Sequence, residues 1–261
     1  MNASSEHGDG TAHVERPAQI RRTVTATIVL DFDGTIALGA GPLEAFARAV
    51  ATATGDADFA DRAIAAVSAF EHGEGDARDG YDVISRLAVQ QGVTADALEE
   101  AYQSSRALLG SEHAAITPPS GLADFLKRIR GDARVVLATN APGAGIRPVL
   151  EGWQVADLFD AMHFTVGKPA GLVPILRAAV AEGPVLSVGD IFEFDLAPAA
   201  ELGAATALVG ATAARSAAVV TMRGRTLTEL YGAIEAWAAE SAASTHATTS
   251  TTNTERHDPN A

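Results

Sequence analysis

The stretch Thr27-Ile28-Val29-Leu30-Asp31-Phe32-Asp33-Gly34-Thr35 sets an apolar, largely β-branched run directly before two acids, a glycine and a threonine. Such a run is too short for a stable lone helix and favours a buried strand. Side chains alternate along an extended strand, so Asp31 and Asp33 leave its C-terminal end on the same side. Gly34 permits the sharp exit that such a strand needs. In an open α/β sheet, ligands sit just beyond the carboxyl ends of the strands. Two carboxylates placed there suit a hard cation such as Mg²⁺, and one of them can serve as a nucleophile.

The rest of the chain supplies a context of that kind. After the first strand, roughly Gly41 to Leu109 reads as helical. Pro42 sits at a first helical position, with Leu43, Phe46, Ala47 and Val50 on one face before Gly55. Phe59 to Phe70 gives a second amphipathic helix, and the Gly-rich run Glu71 to Gly80 reads as a loop. Val83, Ile84 and Leu87 mark a third helix. Thr94 caps a fourth, carrying Leu98, Ala101, Tyr102, Ser105 and Leu109. Pro118 to Gly121 then breaks the chain.

Beyond the break, strands alternate with helices. The strands are Arg134–Ala138, Ala161–Val166, Val185–Val188, Thr206–Val209 and Ala218–Met222. Helices are expected over Leu122 to Ile129, Pro148 to Val155, Leu172 to Ala181 and Leu196 to Leu202. Thr226-Leu227-Thr228-Glu229 is a capping box that opens the last one. Alternation of this kind predicts an α/β fold with a mainly parallel, Rossmann-like sheet. The expected division is a disordered tail over 1–22, a core over 23–39 and 113–240, and a helical insert over 40–112. A disordered Ser/Thr-rich tail follows over 241–261.

Composition narrows the function classes. The 261 residues carry a formal charge of −14 and are 47% hydrophobic, enough for a sizeable core. The acidic balance and the lack of a basic cluster argue against a nucleic-acid partner. Absence of cysteine excludes disulfides, thiolate catalysis and cysteine metal sites. The polar N-terminus has no apolar signal core and no apolar run suits a bilayer, so a soluble, cytoplasmic protein with no membrane partner is the default expectation. His246 and His257 in the tail have no metal-ligand spacing. Sequence leaves the oligomeric state open.

Asp31-Phe32-Asp33-Gly34-Thr35 resembles the first motif, Asp-x-Asp-Gly-Thr, of the haloacid dehalogenase-like phosphohydrolases. Val135-Val136-Leu137-Ala138-Thr139-Asn140 resembles the second, an apolar strand ending in Ser or Thr. Gly167-Lys168-Pro169 resembles the third, although the family often has a second proline where Gly171 stands. Val188-Gly189-Asp190 through Asp195 resembles the fourth, Gly-Asp-x-x-x-x-Asp after an apolar strand. The four stand in the family's order, over roughly Thr23 to Glu240. The helical insert is similar to the C1 cap of phosphoglycolate phosphatase and β-phosphoglucomutase-like members. Taken singly, Thr139 reads as a cap of the next helix, Lys168 as a surface lysine and Asp195 as a helix-capping acid.

The resemblance implies a Mg²⁺-dependent phosphatase acting on a small phosphorylated metabolite, such as a sugar phosphate or phosphoglycolate. Asp31 would be the nucleophile that forms an aspartyl-phosphate, and Asp33 the acid and base. Asp31, the Asp33 backbone carbonyl and Asp190 would hold the metal. Thr139, Asn140 and Lys168 would bind the phosphoryl group, with Asp195 behind Lys168 or the metal, and Glu193 as a further acid of the fourth motif. His72, Arg78, Tyr81 and Arg86 are candidate cap contacts. Dehalogenases of the family lack the acid at Asp33 and its phosphonatases carry alanine, so neither activity is expected. A phosphoglucomutase-like transferase and a non-catalytic binding domain are the alternatives.

Overall fold

The apolar run before Asp31 forms β1 (Ala26–Leu30), and every one of its residues is buried. The computed structural model describes residues 26–251, with side chains to residue 244; the tail expected over 1–22 lies outside the described residues. β1 pairs in parallel with β2 (Ala133–Ala138) on one side and β4 (Val185–Gly189) on the other. β3 (Ala161–His163) extends the sheet beyond β2, while β5 (Ala205–Leu208) and β6 (Met222–Arg223) extend it beyond β4. The order is β3-β2-β1-β4-β5-β6 and every pair is parallel, a Rossmann-like α/β sheet.

Between β1 and β2 the chain makes an excursion through α1 (Gly41–Thr54), α2 (Phe59–Glu71), α3 (Gly80–Gln90) and α4 (Ala95–Arg106). Asp79 caps α3 by accepting from Asp82 N–H at 2.7 Å, and Thr94 caps α4 by accepting from Ala97 N–H. These helices bury one another's apolar faces, with Phe46, Val50, Phe59, Ala63, Ile84 and Ala88 in a cluster of their own. The outgoing and returning chains meet at Leu38 and Thr117, which exchange two backbone hydrogen bonds of 2.9 Å.

Both faces of the sheet are covered, which is why its central strands are mostly apolar and almost wholly buried. Ile28, Leu30, Val135, Leu137, Leu186 and Val188 pack on one face against α5 (Leu122–Ile129), α6 (Gly143–Gly152) and α9 (Leu227–Thr251). Val29, Val136, Ala138 and Val185 face α7 (Leu172–Val180) and α8 (Ala197–Glu201). Among the described residues no helix is long and apolar enough to cross a membrane.

Some boundaries differ from those expected. α6 begins at Gly143, not near Pro148, which lies inside it; burial of Ile146, Val149 and Leu150 on one face carries the helix through the proline. β6 is shorter than expected: at Thr206 and Thr221 each N–H donates to the other's side-chain hydroxyl, and Val219 is exposed outside the ladder. A π-helical turn, Phe192–Leu196, precedes α8. The Ser/Thr-rich stretch from Ser241 starts within α9, where alanines at 238, 239, 242 and 243 sustain the helix. Residues 252–261 lie outside the described residues.

Candidate active site

The sheet register brings the polar residues together. Leu30 stands opposite Leu137 on β2 and Val188 on β4, so the three strands end at one level. Asp31 follows immediately, its N–H donating to the Val188 carbonyl at 2.9 Å. Thr139 lies two residues past Leu137, and Asp190 two past Val188. Phe32 turns away and is fully buried, stacked on Trp153, so that Asp31 and Asp33 face one cavity. Gly34 is required at this bend. Its φ is +74°, and a Cβ on it would lie 2.2 Å from Asp190 Oδ2.

Lys168 is the hub of the acids. Its buried Nζ donates to Asp31 Oδ1 and Asp195 Oδ1, each at 2.6 Å. Asp195, in the π-helical turn, accepts from Ile191 N–H through its other oxygen, and its carbonyl accepts from Ser187 Oγ. Asn140 accepts from Lys168 N–H at 2.7 Å and so braces the lysine's backbone. Thr139 accepts from Ala141 N–H at 3.1 Å, which leaves its own O–H to donate into the cavity. It does not cap α6, whose N-cap is Pro142. Position 171, where a proline was the family's habit, must be glycine: a Cβ there would lie 1.7 Å from the Val166 carbonyl oxygen.

The charges do not balance. Burial works against the Lys168 ammonium, but Asp31 and Asp195 outweigh it and hold its pKa above the ordinary value. Burial, and then the charge of Asp31, pushes Asp195 up to about 7 in spite of Lys168. Asp190 is raised well above an ordinary carboxyl by burial, Asp31 and Asp195. Asp31, Asp190 and Asp195 each offer a carboxylate oxygen within 4.8 Å of the others. This all-oxygen, acid-rich set fits a hard divalent cation. Within this set Asp195 accepts from Lys168 and from Ile191 N–H, and Asp31 accepts from Lys168.

One residue of the site escaped the sequence reading. Arg106, at the last position of α4, is 2% exposed and donates from Nη1 to Asp33 Oδ1 at 2.8 Å and to Tyr81 Oη at 3.2 Å. Its signal is helical spacing, four residues after Tyr102 on the face already marked as apolar. Burial raises the Asp33 carboxyl, while the Arg106 guanidinium pulls it down; burial prevails. Among the expected contacts from the insert, Arg78 and Tyr81 line the cavity. His72 and Arg86 are exposed and absent from its lining; Arg86 pairs with Asp76 and Asp82. Glu193 is exposed.

The cavity, of about 570 Å³, lies between the strand ends and the inserted helices. No protein-family model and no curated protein matches the sequence. Solved structures do match. A putative haloacid dehalogenase-like hydrolase from Bacteroides fragilis superposes with a TM-score of 0.59 at 21% identity, over 78% of this chain and 98% of that one. The putative HAD-hydrolase YfnB from Bacillus subtilis, bound to magnesium, gives 0.56 at 18% identity, over 80% and 97%. A HAD phosphatase from Thermococcus onnurineus gives 0.50 at 18% identity, again over 80% and 97%. The chain therefore has the fold of the haloacid dehalogenase-like hydrolases.

Proposed function

We propose that the protein is a Mg²⁺-dependent phosphatase that hydrolyses a small phosphate monoester through an aspartyl-phosphate on Asp31. The observation that carries this reading is the meeting of Asp31, Asp33, Thr139, Lys168 and Asp190 around one cavity at the ends of β1, β2 and β4. The phosphatase among the matching folds agrees with it.

Asp31 attacks the substrate phosphorus, and the bond from phosphorus to the ester oxygen breaks. The leaving oxygen takes its proton from the Asp33 carboxyl, whose raised pKa suits it to carry one. Water, deprotonated by the Asp33 carboxylate, then attacks phosphorus and frees Asp31 with release of inorganic phosphate. Thr139 O–H and the Lys168 ammonium donate to the phosphoryl oxygens as charge builds there. Asp31, the Asp33 carbonyl and Asp190 would hold Mg²⁺, which when bound neutralises phosphoryl charge and the excess of acids. Asp195 keeps Lys168 in place from behind.

The test is release of inorganic phosphate from small phosphate esters, with Mg²⁺ and with chelator, for the native chain and Asp31→Asn. Turnover that needs both the metal and Asp31 is expected. Release that persists in Asp31→Asn would overturn the assignment of the nucleophile.

A further inference from the structure

The far wall of the cavity belongs to the inserted helices. Leu43 of α1, Val67 and Phe70 of α2, Tyr81 of α3 and Tyr102 of α4 form it. The rings of Tyr81 and Tyr102 meet edge-on, centroids 5.7 Å apart, and both rest against Phe46 behind them. The wall is therefore the inner surface of a packed cluster. Burial pushes the Tyr102 hydroxyl up to about 12, so this surface stays uncharged.

The charged groups around that wall are paired or have the wrong sign for an anion. Arg106 is held by Asp33 and donates to the Tyr81 hydroxyl, which keeps its own proton to donate. Asp79 is spent capping α3. Arg78 pairs with Asp82 at 3.1 Å and lies over the Phe194 ring. Glu71 and Asp79 both line the cavity, so a second negative charge on a substrate would meet acids there.

A polyol entering such a space loses hydration from each hydroxyl with few partners to replace it, and a carboxylate loses more. An apolar group instead releases water from both surfaces. We infer that the phosphate monoester this site takes has an uncharged, largely apolar leaving group, a short alkyl or aryl alcohol, seated between Leu43, Val67, Phe70, Tyr81 and Tyr102. The inference rests on the phosphatase reading and narrows its substrate class away from sugars and hydroxy acids.

The test compares kcat/KM of the full chain with Mg²⁺ for n-alkyl phosphates from methyl to pentyl, and for glycerol phosphate, glucose 6-phosphate and phosphoglycolate. The alkyl series is repeated with Leu43→Asn. In the native chain kcat/KM should rise by about two- to fourfold per methylene, the worth of burying one. The longer alkyl esters should exceed every polyol and carboxylate ester, and Leu43→Asn should flatten the rise. The slope is a ratio within one protein, so partial loss of folded material in the variant does not alter it. A flat native slope, or fastest turnover of a polyol or carboxylate ester, would overturn the substrate class and leave the phosphatase standing. A slope unchanged in Leu43→Asn would overturn the assignment of this wall. No phosphate from any ester would overturn the phosphatase reading, and the substrate class with it.

Discussion

Arg106 and Asp33, 73 positions apart in sequence, form a 2.8 Å ion pair that ties the end of α4 to the site beyond β1. The pair joins the inserted helices to the carboxyl proposed to move the proton. Nε and Nη2 of Arg106 are buried with no hydrogen-bond partner among the described residues.

Arg106→Met separates positioning from stability. Unpaired buried donors each cost roughly 1–3 kcal/mol, so a methionine of similar length removes a penalty as well as a contact. Asp33, 31% exposed on its side chain, has water to replace the lost bond. Thermal stability should therefore change little, while kcat falls by roughly ten- to a hundredfold as the acid loses its fixed orientation. Arg106→Lys should restore part of that loss. Steady-state kinetics beside a melting curve checks this, and a fall in melting temperature that tracks the fall in kcat would count against it.

Asp195 makes stability depend on pH. Its carboxyl is raised from 3.8 to about 7, by burial first and by Asp31 next, against the pull of Lys168. Between those values the folded chain holds a proton that the unfolded chain has released. The stabilisation from this group is complete below about pH 4 and is lost as pH rises through about 7. In chelator, the native chain should lose urea resistance relative to Asp195→Asn across that window. Mg²⁺ should shrink the difference, because a cation offsets the repulsion that raises the carboxyl. A difference that stays constant with pH would refute the assignment.

Thr139 offers a narrower test. Its hydroxyl oxygen accepts from Ala141 N–H while its proton is left for a phosphoryl oxygen. Thr139→Val removes both, so about 1 kcal/mol of stability should go with the first bond and roughly tenfold or more in kcat with the second. Thr139→Ser keeps the hydroxyl and should keep most of the rate. Chemical denaturation and kinetics on the two variants would show whether they part in this way.

What could be read from sequence follows from how local each signal is. β1, β2 and β4 are short apolar runs, each leading to a polar residue, and the sheet needs only to align their ends to gather Asp31, Thr139 and Asp190. Lys168 was legible through the resemblance of Gly167-Lys168-Pro169 to the third motif, since taken singly it reads as a surface lysine in a turn. Arg106 was not, because one arginine on an amphipathic helix reads as a solvated charge until tertiary packing sets it over Asp33. The start of α6 was missed for a related reason. Pro148 favours a helix start by its own chemistry, and only the burial of Ile146 with Leu150 shows that the helix is already under way.

Gly34 and Gly55 share a backbone conformation but not an environment, which isolates the role of close approach. Their φ values are +74° and +70°, yet a Cβ on Gly34 meets Asp190 Oδ2 at 2.2 Å while one on Gly55 meets nothing within 4 Å. Alanine at either position should cost roughly 1–2 kcal/mol for the left-handed backbone. Only Gly34→Ala must also push the Asp190 carboxylate aside. Mg²⁺ affinity, read by calorimetry without substrate, should fall roughly 10- to 100-fold in Gly34→Ala and stay native in Gly55→Ala. Equal affinities in the two variants would mean that Asp190 does not hold the metal from the position it takes against Gly34.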